Sequence, residues 1–76
     1  MAVLYEIYGK NNCSYCVKAK KLLESYGRPY KYINIENDMD EFFAIFPEAK
    51  TVPQILLDDI IIGGYTELEK HCKETW

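Results

Sequence analysis

Two cysteines three positions apart, in the run Cys13-Ser14-Tyr15-Cys16, are the side chains of this sequence best suited to chemistry. They directly follow an apolar run, Val3-Leu4-Tyr5-Glu6-Ile7-Tyr8, and directly precede a segment with helical patterning. A helix start carries unpaired backbone N–H groups and the positive end of the dipole, and both stabilise a thiolate. The thiolate, not the thiol, is the nucleophile, so this placement predicts a Cys13 that ionises more readily than a free thiol. Cys16 follows one helical turn later on the same side, where its sulfur can reach back to close a disulfide. The spacing reads as an attacking thiol followed by a resolving one.

The elements that must position this pair are legible in outline. Residues 3–8 read as a central strand, because their apolar character is nearly continuous. Gly9 to Asn12 form a loop. A helix is expected from Cys13 or Ser14 to Tyr26, with Ala19, Leu22, Leu23 and Tyr26 on its apolar face. Gly27 stands where helices end, and Pro29 prevents continuation. Tyr30 to Ile35 alternate and are rich in aromatic and β-branched residues, which predicts a second strand. Asn37 or Asp38 is expected to cap a short helix through Phe46, stopped by Pro47, with Phe42, Phe43, Ile45 and Phe46 in the core. Gln54–Leu57 and Ile60–Ile62, split by Asp58-Asp59, predict a hairpin whose turn lacks the preferred glycine. Thr66 and Glu69 match a capping box for a last helix to about Glu74. The order is β-α-β-α-β-β-α: an α/β domain with a four-stranded mixed sheet, helices on both faces and a parallel first βαβ unit.

Bulk properties narrow the classes of function. At 76 residues the chain reads as one domain, 1–76, which buries about 60–65% of its unfolded surface. An apolar fraction of 49%, with seven tyrosines and three phenylalanines, supplies large side chains for so short a core. The net charge of −3 gives no general reason to expect a nucleic-acid or membrane-surface partner, and none is expected. No window has the length of a spanning helix, and the N-terminal run lacks a basic start and a small-residue cleavage site, so no signal peptide is expected. Three cysteines, an odd count, argue against a secreted disulfide framework and for a redox motif in a cytoplasmic protein.

Four motifs in order carry a resemblance: Tyr8-Gly9-Lys10 ahead of the dithiol, Cys13-x-Tyr15-Cys16, Thr51-Val52-Pro53, and Gly63-Gly64-Tyr65-Thr66-Glu67. Together they resemble the glutaredoxins, the small dithiol type of bacteria and bacteriophages above all, over most of the chain. The resemblance implies a thioredoxin-like fold and a glutathione-dependent thiol–disulfide oxidoreductase, an enzyme of electron transport and cell redox homeostasis. Thioredoxin itself fits less well, because Asn12 rather than Trp precedes Cys13. Two departures stand out. Ser14 replaces the proline common after the first cysteine, and Tyr65-Thr66-Glu67 carries a carboxylate one methylene longer than the usual aspartate.

By this resemblance, Cys13 attacks a mixed disulfide of glutathione and a protein, and a second glutathione releases it. In the two-thiol route Cys16 resolves the intermediate and leaves Cys13–Cys16 oxidised. Glutaredoxin potentials of about −200 to −230 mV suit exchange with a glutathione pool. The implied glutathione contacts are Lys10, Tyr15, Thr51, Val52, Pro53, Gly64, Tyr65, Thr66 and Glu67. Pro53, cis by resemblance, turns the Val52 backbone toward the sulfur as a strand edge for substrate. The Tyr65 and Thr66 N–H groups face the γ-glutamyl carboxylate. For Lys10 a solvated loop lysine, for Lys50 a surface lysine rather than a partner of the glycyl carboxylate, and for Ser14 a plain helix cap are the competing readings.

Glutathione, disulfide-containing or glutathionylated proteins and ribonucleotide reductase are the implied partners of a monomer with no tightly bound cofactor. Two alternatives accompany this reading. Ser14 permits a dimer holding a [2Fe–2S] cluster through Cys13 and two glutathiones. A glutaredoxin-shaped protein recycled by thioredoxin reductase is disfavoured by the Gly64–Glu67 pattern. Cys72 reads as a buried small hydrophobe rather than a regulatory thiol. A zinc site of His71 and Cys72 with Cys13 and Cys16 is disfavoured, since adjacent residues on a helix diverge. The acidic group Glu36, Asp38, Asp40 and Glu41 reads as a solvated helix start.

Overall fold

The structure is a computed structural model that describes residues 4–75, the side chain of Thr75 excepted. Strand β1 spans Tyr5–Gly9 and is buried on both faces, as its nearly continuous apolar character suggests. The expected strand start at Val3 lies outside the described residues. Helix α1 follows at Ser14–Ser25, then β2 at Tyr30–Asn34, a 3₁₀ turn at Ile35–Asn37, and helix α2 at Met39–Ile45. The hairpin β3 (Gln54–Leu57) and β4 (Ile60–Gly63) leads into helix α3, Tyr65–Thr75. The sheet order is β2-β1-β3-β4. β1 pairs in parallel with β2 and antiparallel with β3, which pairs antiparallel with β4.

Alternation along the strands divides the core into two layers. Tyr5, Ile7 and Ile55 face α1 and α3, where Ala19, Leu23, Leu68 and Cys72 are fully buried against them. Tyr8 and Leu56 face the opposite way and pack with Ile35, Phe42 and Phe46. Cys72 is the buried small hydrophobe expected from its helical spacing. Burial pushes its thiol pKa up, against a lowering pull from Arg28, so it stays protonated and unreactive.

Several local expectations are corrected. The buried stripe of α1 is Cys16, Ala19 and Leu23, while Tyr26 is the C-cap residue and exposed. The chain turns away at Gly27, whose φ of +66° allows the Gly27 N–H to reach Glu24 O and the Arg28 N–H to reach Leu23 O. That geometry ends the helix before Tyr26 can face the core. Ile35 leaves β2 and opens the 3₁₀ turn, whose cap is the Asn34 side chain accepting the Glu36 N–H at 2.9 Å. In α2, Phe42 and Phe46 point inward, and Phe43 is 45% exposed. Consecutive helical residues lie about 100° apart, so Phe42 and Phe43 cannot share one buried face. The Asp58-Asp59 turn closes without glycine because both residues take the left-handed region, φ 49° and 69°, which aspartate tolerates.

The start of α3 also differs. Tyr65 is the first helical residue, which makes Gly64, not Thr66, the N-cap. The Glu67 carboxylate reaches back to accept the Gly64 N–H at 2.8 Å, and Leu68 N–H donates to Gly64 O. This is the carboxylate half of a capping box two residues earlier than Thr66 and Glu69 suggest. Replacing Glu67 by alanine is expected to cost about 0.5–1.5 kcal/mol. Thermal denaturation checks it, with Glu67→Gln, which keeps an acceptor oxygen, closer to the wild type.

Candidate active site

The loop after β1 delivers Cys13 to the N-cap of α1. There its sulfur occupies the place usually taken by a Ser or Asp oxygen and accepts the Cys16 N–H at 3.2 Å. The first turn of α1 contains no acidic residue to oppose negative charge on that sulfur. Cys13 and Cys16 are joined as a disulfide, with Cα atoms 5.2 Å apart. The two sulfurs differ in access: Cys16 is fully buried on the inner stripe of α1, whereas Cys13 is half-buried and reaches solvent. Only Cys13 is therefore open to an incoming disulfide.

Three contacts hold the loop, and none was apparent from the sequence. Glu36 accepts the Asn11 N–H at 2.8 Å, Asn34 Nδ2 donates to Asn11 Oδ1 at 3.3 Å, and the Tyr32 hydroxyl donates to Lys10 O at 3.1 Å. Glu36 is thus an anchor for the cysteine loop rather than part of a solvated helix start. The signal was the parallel pairing of β1 with β2, which sets Gly9 opposite Asn34 and so places residues just beyond Asn34 beside the loop. Lys20 lies over the Tyr32 ring at 4.4 Å from its centroid, a cation–π contact that steadies the ring.

On the other side of Cys13, the Val52–Pro53 peptide is cis, and Val52 O lies 3.9 Å from Cys13 Sγ. A groove of about 300 Å³ opens beside it. It is lined by Tyr15, by Thr51, Val52 and Pro53, and by Gly64, Tyr65, Thr66 and Glu67. The Tyr15 and Tyr65 rings pack together with centroids 5.7 Å apart, and Lys18 Nζ lies 4.8 Å from the Tyr15 centroid. Every predicted contact residue except Lys10 thus shares one groove. Lys10 instead borders a second groove that also contains Lys50, Thr51 and Val52.

His71 and Cys72 do not join this site. The His71 ring hydrogen-bonds the Tyr5 hydroxyl at 3.0 Å, and Cys72 is sealed in the core. Among the described residues, no three His, Cys, Asp or Glu side chains gather to hold a metal ion.

The glutaredoxin family model matches residues 5–62. The chain belongs to the glutaredoxin family. It is 36% identical to glutaredoxin 1 of Salmonella typhimurium, over 90% of this chain and 88% of that protein. Glutaredoxin 1 of Escherichia coli is 34% identical, over 90% and 91% of the two chains. Among solved structures, glutaredoxin 1 of Francisella tularensis superposes with a TM-score of 0.79 at 32% identity, over 96% of this chain and 95% of that one. The buckwheat glutaredoxin–glutathione complex gives 0.75 at 26% identity, over 92% and 69%. The four-stranded mixed sheet and three helices are the thioredoxin-like architecture of this family. As a glutaredoxin, this protein is a glutathione-dependent thiol–disulfide oxidoreductase whose Cys13–Cys16 pair stands at disulfide distance. Among the described residues, no helix of this glutaredoxin is long and apolar enough to cross a membrane.

Proposed function

We propose that Cys13 is the attacking thiol and Cys16 the resolving one, and that the groove between Tyr15 and Thr66 seats glutathione. The observation that carries this is the contrast between the two sulfurs: Cys13 is accessible at a helix N-cap, and Cys16 is buried one turn behind it. The Cys13 thiolate attacks one sulfur of a client's disulfide; a new S–S bond forms and the other sulfur leaves as a thiolate. With a glutathionylated protein, the protein thiol leaves and Cys13 carries glutathione, which a second glutathione removes as oxidised glutathione. With a protein disulfide, the Cys16 thiolate attacks Cys13 and expels the client's remaining sulfur, so two electrons pass to the client.

In the groove, Glu67 engages the Gly64 N–H, which leaves the Tyr65 and Thr66 N–H groups at the start of α3 for the γ-glutamyl carboxylate. The Val52 backbone pairs with the cysteinyl residue, and Thr51 and Pro53 shape the wall around it. Beyond it lie Lys10 and Lys50, cations suited to the glycyl carboxylate. The glutathione complex of the buckwheat relative supports this seat. Ribonucleotide reductase is a fitting client, and a cytoplasmic monomer with residues 1–76 as one domain is the fitting state.

The test is glutathione-coupled reduction of the glutathione–cysteine mixed disulfide, with NADPH and glutathione reductase. Steady NADPH consumption dependent on the protein is expected. Absence of turnover by folded, reduced protein would overturn the glutathione seat.

A further inference from the structure

Past Val52, on the side away from the glutathione groove, lies a second groove of about 450 Å³. Its floor is apolar: Ile35 and Phe42 lie beneath, and Met39 and Phe43 stand above them, 44% and 45% exposed. Phe43 is fixed rather than loose. Its ring stands edge-on to Phe42 at 5.1 Å, and Phe42 in turn packs on Tyr8 and Phe46 within the core. Helix α2 therefore holds an aromatic ring and a thioether toward water in a groove that also includes Val52. The rim is basic, with Lys10 and Lys50, and neither pairs with a carboxylate among the described residues. Glu36, also on the rim, has its carboxylate bonded to the Asn11 N–H.

Val52 belongs to both grooves, and its carbonyl lies 3.9 Å from Cys13 Sγ. A peptide lying against Val52 with its cysteine at Cys13 can extend from one groove into the other. We infer that the second groove selects polypeptide clients, taking a bulky apolar side chain one or two residues from the client's reacting cysteine, with a nearby client carboxylate on Lys10 and Lys50. This rests on the glutathione seat proposed above. With the γ-glutamyl end at α3, glutathione sends only glycine toward Met39 and Phe43, and glycine has no side chain to fill the space. An extended polypeptide advances about 3.3 Å per residue, so its next side chains reach the groove. The groove thus distinguishes a protein client from the tripeptide. The two rim lysines favour a polypeptide with a carboxylate close to its reacting cysteine; a second copy of this chain would set its own Lys10 and Lys50 against them, and its acidic Asp40 and Glu41 stand on α2 rather than beside a cysteine.

The test compares wild type, Phe43→Ser and Met39→Ser on three mixed disulfides. One is the glutathione–cysteine mixed disulfide. The others contain no glutathione: synthetic peptides whose reacting cysteine is bonded to 2-mercaptoethanol, so that the peptide can occupy Val52 itself, and is followed by Gly-Leu-Asp or by Gly-Gly-Asp. Wild type is expected to favour the leucine peptide by about tenfold in kcat/KM, the size of a moderate buried contact. Each substitution should reduce that preference to about twofold or less and leave the small mixed disulfide turned over at the wild-type rate. Met39→Ser carries the comparison if Phe43→Ser fails to fold. Equal wild-type rates on the two peptides overturn the inference, as does a preference that survives the substitutions. Sedimentation of a wild-type dimer that Phe43→Ser makes monomeric would assign the groove to a second copy and overturn it too. Failure of wild type on the small mixed disulfide would instead sink the glutathione seat, so the two failures are distinct.

Discussion

Replacing Cys13 by serine is expected to abolish turnover on both mixed disulfides and protein disulfides, by roughly three orders of magnitude or more, as for loss of a covalent nucleophile. A serine hydroxyl is not ionised at neutral pH, and without a base beside it the oxygen cannot attack a disulfide sulfur. Cys13 is also the half-exposed member of the pair, so no neighbour can substitute for it. The complementary variant separates the two routes. Cys16→Ser should keep deglutathionylation, which needs one thiol, and lose protein-disulfide reduction, which needs the resolving sulfur. Because Cys16 is fully buried, a hydroxyl there also carries a desolvation cost of about 1–3 kcal/mol. Cys16→Ala, measured alongside, distinguishes lost chemistry from lost stability. Coupled NADPH consumption on the glutathione–cysteine mixed disulfide, and reduction of a protein disulfide read by its liberated thiols, give the two rates. Substantial turnover by Cys13→Ser on either substrate would overturn the assignment of roles.

The dithiol was legible because its signal is local: two cysteines one turn apart at a strand-to-helix junction determine which sulfur is capped and which is buried. Helix α1 was legible for the same reason, with Gly27 and Pro29 marking its end. The supports of the cysteine loop were not. Tyr32, Asn34 and Glu36 lie more than twenty positions from the residues they hold, and their role follows only from the parallel pairing of β1 with β2. The α3 cap was misplaced because two overlapping patterns compete there. Thr66-x-x-Glu69 has the better hydroxyl, but Gly64-x-x-Glu67 lies where the chain leaves β4, and the strand end decides where the helix begins. Phe43 shows a further limit: an aromatic run reveals a core but not which ring a seven-residue helix turns outward.

Gly9→Ala is expected to destabilise the protein by about 1–3 kcal/mol, the usual cost of forcing an extra carbon into a packed interior. Gly9 ends β1 directly behind the dithiol, where an added Cβ would lie 2.8 Å from Cys16 Sγ and collide with the Tyr32 side chain. Neither neighbour can yield freely. Tyr32 is held by its hydrogen bond to Lys10 O and by Lys20 across its ring. Cys16 is fixed by the α1 backbone and by complete burial. For a chain of this size the cost corresponds to a fall in melting temperature of about 4–8 °C per kcal/mol, read by thermal denaturation. The same collision has a chemical consequence. Displacing the Cys16 sulfur disturbs the resolving thiol more than the attacking one, so protein-disulfide reduction should fall further than deglutathionylation. An unchanged melting temperature would show that the strand end can shift to admit a methyl group. Equal losses on the two substrates would mean that Gly9 supports the loop as a whole and not the position of the resolving sulfur.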